Sequence, residues 1–286
     1  MEHKFNTQIN QSGRLMKEFV DTVISCYQNI KQQDVSRIMD SYTLSRLQQQ
    51  EIPAQGRPME EVYHQLLEDV YPNASLMQHP RCFACIPSPV SLLSWMGDVM
   101  TNAFDPHAGC WLNSSGTSCI EQQLIQWMGS LAGYPEGRSG MFVSGGSMAN
   151  LTALTAARDT KLTDSERSLA VAYVSDQTHS SIAKGLHIIG FRADQVRKVP
   201  SDSNFRMRLD QLTEAIREDL AAGRKPFAVI ATAGTTNTGS IDPLDQIAQM
   251  SFKINQLMVD FFKSVKVDLI DFKIEFGKTS DGPIHL

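Results

Sequence analysis

From Gly137 onward the chain repeats one pattern: a short apolar run, a small polar loop, then a stretch with helical spacing. The apolar runs are Met141-Phe-Val-Ser144, Leu169-Ala-Val-Ala-Tyr-Val174, Val196-Arg-Lys-Val199 and Phe227-Ala-Val-Ile-Ala-Thr232. Helical spacing follows at 147–158, from about 179, at 209–222, and from Asp242-Pro243, where Asp suits the N-cap and Pro the first helical position. Strands that alternate with helices of this length form βαβ units, and hence a mostly parallel sheet with helices on both faces. Such a sheet brings the carboxyl ends of its strands to one edge, which is where α/β folds bind ligands.

The segment upstream is of another kind. Leu15, Phe19, Val20, Val23, Ile24 and Tyr27 fall at helical spacing, and 59–70 reads as a second amphipathic helix. Pro53 and Gly56-Arg-Pro58 punctuate the stretch between them. Helical patterns recur at 91–103 and 118–132. The expected organisation is a helical N-terminal segment over 1–75, an α/β domain over 76–250, and a distinct tail over 251–286. The tail carries Lys253, Lys263, Lys266, Lys273 and Lys278 but no Arg.

Composition narrows the function classes. Hydrophobic residues are 42% and charged residues 20%, as in a soluble globular protein, and the net charge is −5. No basic stripe points to nucleic acid, and no apolar run reaches the roughly 18–20 residues of a membrane span. The start of the chain has no secretory h-region, so a cytoplasmic protein is expected, with its five cysteines as free thiols. Cys82 and Cys85 have CxxC spacing, but no second pair or HxxxH follows, so no metal site is expected.

Three loops carry the candidate chemistry. In Val143-Ser-Gly-Gly-Ser147 a run ends in two glycines and a helix start. Free backbone N–H groups and the positive end of the helix dipole then face one spot, which suits a phosphate. The bare alternative is an ordinary tight turn. A Walker loop is excluded, because no Gly-Lys-Ser/Thr follows, and a GxGxxG fingerprint is absent. In Ser175-Asp-Gln-Thr-His179-Ser-Ser181 a histidine follows a strand, placed to stack on a flat ring or move protons; a solvated helix start is the alternative. In Ala231-Thr-Ala-Gly-Thr-Thr236-Asn-Thr-Gly-Ser240 a third strand ends in a hydroxyl-rich loop, which could equally be a polar turn. Together they describe a polar crevice able to hold a phosphorylated planar cofactor.

These segments, with Phe142–Asp159 and the run through Asp242-Pro243, resemble the group II pyridoxal-phosphate (PLP) dependent amino-acid decarboxylases, which include aromatic-L-amino-acid, tryptophan, tyrosine and glutamate decarboxylases. His79–Ser88 and Asn102–Gly109 are similar to the family's substrate-side segments. The resemblance covers roughly 50–250. It implies the large α/β domain of fold-type I PLP enzymes and a homodimer embraced by N-terminal helices. It also implies decarboxylation of an amino acid, most similar to the bacterial aromatic type. By the same resemblance Gly145, Gly146 and Ser147 cradle the cofactor phosphate, His179 stacks on the pyridine ring, and Thr236 lies near it. Pro87, Ser88 and His107 face substrate.

The resemblance fades after Met250. The family continues into a strand whose Asp pairs with the pyridine nitrogen, and then into a His-Lys segment whose lysine forms the Schiff base. Leu257-Met-Val-Asp260 is a partial echo of the first, with Asp260 a weak stand-in, and no tail lysine follows a histidine. The expectation is a shortened decarboxylase, inactive by itself, with its binding of PLP weakened or lost. Two other readings stay open: a different PLP reaction on the same fold, such as transamination, and a non-catalytic paralogue that acts as a dimerisation partner.

Overall fold

The computed structural model describes residues 2–83 and 90–251, with side chains from residue 10 onward. These divide into two compact units at Asp105/Pro106.

The first unit is helical. Helix α1 spans Glu2–Gln28, α2 spans Ser41–Gln48, α3 spans Met59–Gln65 and runs on into one wider turn at Leu66–Val70, and α4 spans Leu92–Phe104. Asp40 caps α2 by accepting the Thr43 N–H at 2.9 Å, and Ser91 caps α4 in a reciprocal box with Ser94. The apolar stripe of α1 buries Leu15 and sets Phe19 edge-on to Trp95, with ring centroids 6.0 Å apart. Arg14 pairs with Glu60 across the same unit. The helix α2 was not anticipated in the punctuated stretch before Pro53.

The second unit holds α5 (Ser115–Leu131), α6 (Gly146–Lys161), β1 (Ala170–Ser175), α7 (Ser180–Ile188), β2 (Val196–Val199), α8 (Leu209–Ala221), β3 (Lys225–Ile230) and α9, which covers 244–251 of the described residues. The three strands form a parallel sheet in the order β2-β1-β3. This is the expected α/β arrangement, and β1, at the centre, is buried along its whole length.

Helices cover both faces. Ala170, Ala172 and Val174 of β1 pack with Leu154 of α6 and with Ile182 and Leu186 of α7. Val171 and Tyr173 point the other way, against Leu212 and Ile216 of α8 and Ile247 of α9. Burying a Leu or Ile side chain stabilises a fold by about 1.5–3 kcal/mol, so these two layers supply most of the driving force. Helices α6 and α7 approach closely at Gly185, where a β-carbon would lie 3.3 Å from Leu154 Cδ1 and 3.7 Å from Leu151 Cα.

A bulge interrupts the β1–β3 ladder: Val171 faces Pro226 and Ala172 faces Ala228, so Phe227 is the extra residue. Its effect is a change of side. Phe227 packs on the α6/α7 layer, stacked on Phe191 at 5.4 Å, whereas Val229 packs on the α8/α9 layer. In an unbroken strand residues two apart share a face.

On the α8 side, Asp219 is 3% exposed and accepts the Tyr173 hydroxyl at 2.9 Å. Arg197 Nε lies 3.2 Å and an Arg224 nitrogen 3.6 Å from the same carboxylate. Burial and this acceptor push the Tyr173 phenol well above its ordinary value.

Two expectations are corrected. Residues 141–143 form no strand: Met141 and Phe142 are exposed, and the Phe142 N–H turns to Glu121 Oε1 at 3.4 Å. An apolar run is a strand only with a partner for its ladder, and no described strand lies beside this one. Asp242 is not an N-cap; its carboxylate turns inward, as described below. Cys26, Cys82, Cys110 and Cys119 are free thiols, and among the described residues no helix is long and apolar enough to cross a membrane.

Candidate functional site

Because the sheet is parallel, the segments after β1, β2 and β3 leave from one edge. Side chains knit them together. Asp176, just past β1, accepts the Ser201 N–H, just past β2, at 3.2 Å. Asp242 is 2% exposed and accepts the Met207 N–H at 2.7 Å and the Thr232 N–H at 2.8 Å, while its own N–H donates to the Thr232 carbonyl at 2.9 Å. One buried carboxylate therefore fixes the loop after β3 against the segment after β2. The sequence suggested a cap at this position; the two inward amides claim the side chain instead.

The loop 231–241 closes on itself. The N–H groups of Gly234 and Thr235 both donate to the Ser240 carbonyl, at 3.1 and 2.9 Å. Thr235 Oγ1 lies 2.6 Å from Thr238 Oγ1, and Ser240 Oγ donates to the Asn204 carbonyl at 2.7 Å. Thr235 is 2% exposed, whereas Thr236 faces solvent at the tip. Thr235 holds the loop and Thr236 stays at the surface, a division that two adjacent threonines do not announce in sequence.

Helix α6 opens without a side-chain cap. The Met148 and Ala149 N–H groups both return to the Gly145 carbonyl, while those of Gly146 and Ser147 have no partner among the described residues. Gly145, Gly146 and Ser147 are exposed, and a β-carbon on either glycine would meet nothing within 4 Å. Open space thus stands before two unpaired donors at a positive helix end, which fits a phosphate.

His179 begins α7 on the neighbouring loop. Its Nδ1 accepts the Ser181 N–H at 3.2 Å, which makes the histidine the helix cap, and lies 2.8 Å from Ser181 Oγ. Asn150, in the second turn of α6, donates its Nδ2 to the same Ser181 Oγ at 2.9 Å. This bond joins the glycine-led helix to the histidine loop. The imidazole itself is exposed. Asn150 and Ser181 are functional candidates that the sequence reading missed, although both lie inside the quoted segments.

His107 is exposed on the segment between α4 and α5, its ring folded over Gly109, and no hydrogen bond among the described residues joins it to Ser147 or His179. Pro87, Ser88 and Asp260 lie outside the described residues. The structure therefore links α6, which Gly145–Ser147 open, to α7, which His179 caps, through Asn150 and Ser181, and sets the Thr236 loop after β3 on the same edge of the sheet.

An uncapped helix end, an exposed imidazole and a hydroxyl-rich loop on one edge suit a phosphorylated aromatic cofactor such as PLP. The chain is 35% identical over 250 residues to an aromatic-L-amino-acid decarboxylase of Bacillus atrophaeus, covering 87% of this chain and 52% of that protein. It is 31% identical over 252 residues to tyrosine decarboxylase 2 of Narcissus pseudonarcissus, covering 84% and 50%. Among solved structures, the 4-hydroxyphenylacetaldehyde synthase of Rhodiola rosea superposes with a TM-score of 0.78 at 26% identity, covering 86% of this chain and 55% of that one. The chain thus spans about half the length of the curated relatives it matches. The model of the pyridoxal-dependent decarboxylase conserved domain matches residues 42–262, and the chain belongs to that family.

Proposed function

We propose that these residues hold PLP in a protein whose whole length decarboxylates an aromatic L-amino acid, and that the 286 residues by themselves bind the cofactor without turning over. The observation that carries this reading is the bond from Asn150 to Ser181, which links the helix whose Gly146 and Ser147 N–H groups have no partner among the described residues to the exposed imidazole of His179.

Each residue has a physical task. Gly146 and Ser147 donate backbone N–H bonds to the phosphate, aided by the α6 dipole, and the absence of β-carbons at 145 and 146 lets the phosphate approach the main chain. His179 covers one face of the pyridine ring and keeps water from it. Thr236 offers a hydroxyl from the neighbouring loop. Bound PLP supplies the electron sink that accepts the charge left when CO2 departs. His107, Pro87 and Ser88 line the amino-acid side in the same reading. The only lysine preceded by a histidine is Lys4, at the start of the chain and upstream of the family-like segments, and no lysine after Met250 follows one, so the covalent attachment that the family resemblance implies has no matching residue here.

A cytoplasmic homodimer belongs to the same proposal. Leu93 and Phe104 on α4 and Trp127 and Leu131 on α5 are exposed apolar side chains of the kind an assembly covers.

The test is a titration of the purified chain with PLP and, separately, with pyridoxal, followed by assay of CO2 from tryptophan, tyrosine and phenylalanine. Saturable binding of PLP at least tenfold tighter than pyridoxal, without CO2, is the expected result. Equal affinity for the two would remove the phosphate cradle, and turnover would overturn the inactivity.

A further inference from the structure

We propose that Asn150 and Ser181 are positioning residues that lock the imidazole of His179 in its Nε2–H tautomer, so that the crevice meets a directed N–H donor rather than a lone pair. The inference concerns the site proposed above and gives His179 a polarity that ring stacking does not require.

A backbone N–H can only donate, so the 3.2 Å contact from Ser181 N requires a lone pair on Nδ1. Ser181 Oγ lies 2.8 Å from the same nitrogen and could in principle donate or accept. Asn150 decides between the two, because its Nδ2 donates to Ser181 Oγ at 2.9 Å. The hydroxyl's proton is then free to point at Nδ1, in agreement with the backbone bond. Two donors converge on one lone pair, and the ring proton of the neutral imidazole resides on Nε2.

The arrangement exceeds what a helix cap needs. Capping α7 takes only the Ser181 N–H and any acceptor side chain at 179. The hydroxyl and the amide add no capping bond, yet Ser181 is 4% exposed and Asn150 half-buried, so both are held in place. What they add is direction. The group that meets His179 in the crevice is accordingly a hydrogen-bond acceptor, such as a carboxylate or phenolate oxygen.

The test needs no cofactor and no turnover. The full chain is labelled with 15N-histidine, and the His179 signals are assigned by their loss in His179→Gln. Long-range 1H–15N spectra are then recorded near pH 8, about 1.5 units above an ordinary imidazole pKa. Nδ1 is expected unprotonated and Nε2 protonated in the wild-type chain and in Ser181→Thr, which keeps the hydroxyl. Asn150→Asp replaces the donor with an acceptor, draws the Ser181 proton away from Nδ1, and should protonate Nδ1 in a measurable fraction of molecules. A wild-type ring protonated on Nδ1 would overturn the proposal. So would an Asn150→Asp variant with a native amide spectrum and an unchanged tautomer. Ser181→Ala serves if Asn150→Asp does not fold: loss of the hydroxyl should raise the Nδ1-protonated fraction, and no change counts against the lock. If the tautomer holds while PLP fails to bind, the cofactor reading falls and this one stands.

Discussion

Replacing Asp242 by Ala tests whether one carboxylate holds the loops of the site edge together. The side chain is 2% exposed and accepts two backbone N–H bonds, from Met207 at 2.7 Å and Thr232 at 2.8 Å. Alanine strands both amides in a site too enclosed for free hydration. A buried donor left unsatisfied costs about 1–3 kcal/mol, so the pair sums to roughly 2–6 kcal/mol. That is a large share of the ~5–15 kcal/mol that holds a typical domain folded. Asparagine keeps one acceptor oxygen but turns an NH2 toward the other amide. It should lose one charge-assisted bond and cost about 1.5–3 kcal/mol. Urea unfolding followed by far-UV circular dichroism measures both, with Ala below Asn below wild type. Amide hydrogen exchange supplies the local readout: Met207 and Thr232 should be protected in the wild-type chain and lose protection first in Asp242→Ala. If Ala unfolds within about 0.5 kcal/mol of wild type and both amides stay protected, the carboxylate is not the link it is argued to be.

Two further outcomes follow from packing and charge. Leu186 of α7 is 0% exposed and packs on β1, so Leu186→Ala should cost about 2–5 kcal/mol in urea unfolding, and a cost under 1 kcal/mol would mean the layer can collapse into the cavity. Glu166 bonds Lys225 at 2.5 Å and accepts the Thr163 N–H at 2.8 Å. Burial alone would raise its carboxyl, but these partners outweigh it and hold the pKa down at about 2. A carboxylate depressed on folding stabilises fully above its unfolded pKa and loses that contribution as pH falls through the folded value. The stability gap between the wild-type chain and Glu166→Gln should therefore be present at neutral pH and close as the pH drops from about 4.5 toward 2; a gap that persists at the acid end would contradict the assignment.

Much of the second unit could be read from the chain because its elements announce themselves locally. Leu169–Val174 is a short apolar run next to turn residues, and it forms the buried β1. Gly145-Gly146 before Ser147 opens α6 where expected, and His179 sits at the start of α7. What escaped reading depends on partners remote in sequence. The apolar Met141–Val143 looks like a strand until the absence of a described neighbour leaves it without a ladder. Asp242 before Pro243 looks like a cap, and only the fold reveals amides from positions 207 and 232 waiting for it. Phe227 and Val229 should share a face by simple alternation, and the bulge that separates them belongs to the pairing with β1, not to their own residues. Thr235 and Thr236 are chemically identical neighbours, distinguished only by which one the loop turns inward.

The contact at Gly185 has a consequence that reaches past its own volume. Leu151 and Leu154 meet it one and two turns into α6, and Ser147 lies four residues before Leu151, about 6 Å along the axis at 1.5 Å per residue. A methyl group at 185 would push Leu154 Cδ1 back by a few tenths of an ångström, or part α6, which Gly146 opens, from α7, which His179 caps. In the proposed site a hydrogen atom at 185 thus helps set how far the glycine-led end stands from the imidazole, and a chain that kept every polar group but filled that gap would carry the same chemistry at another separation.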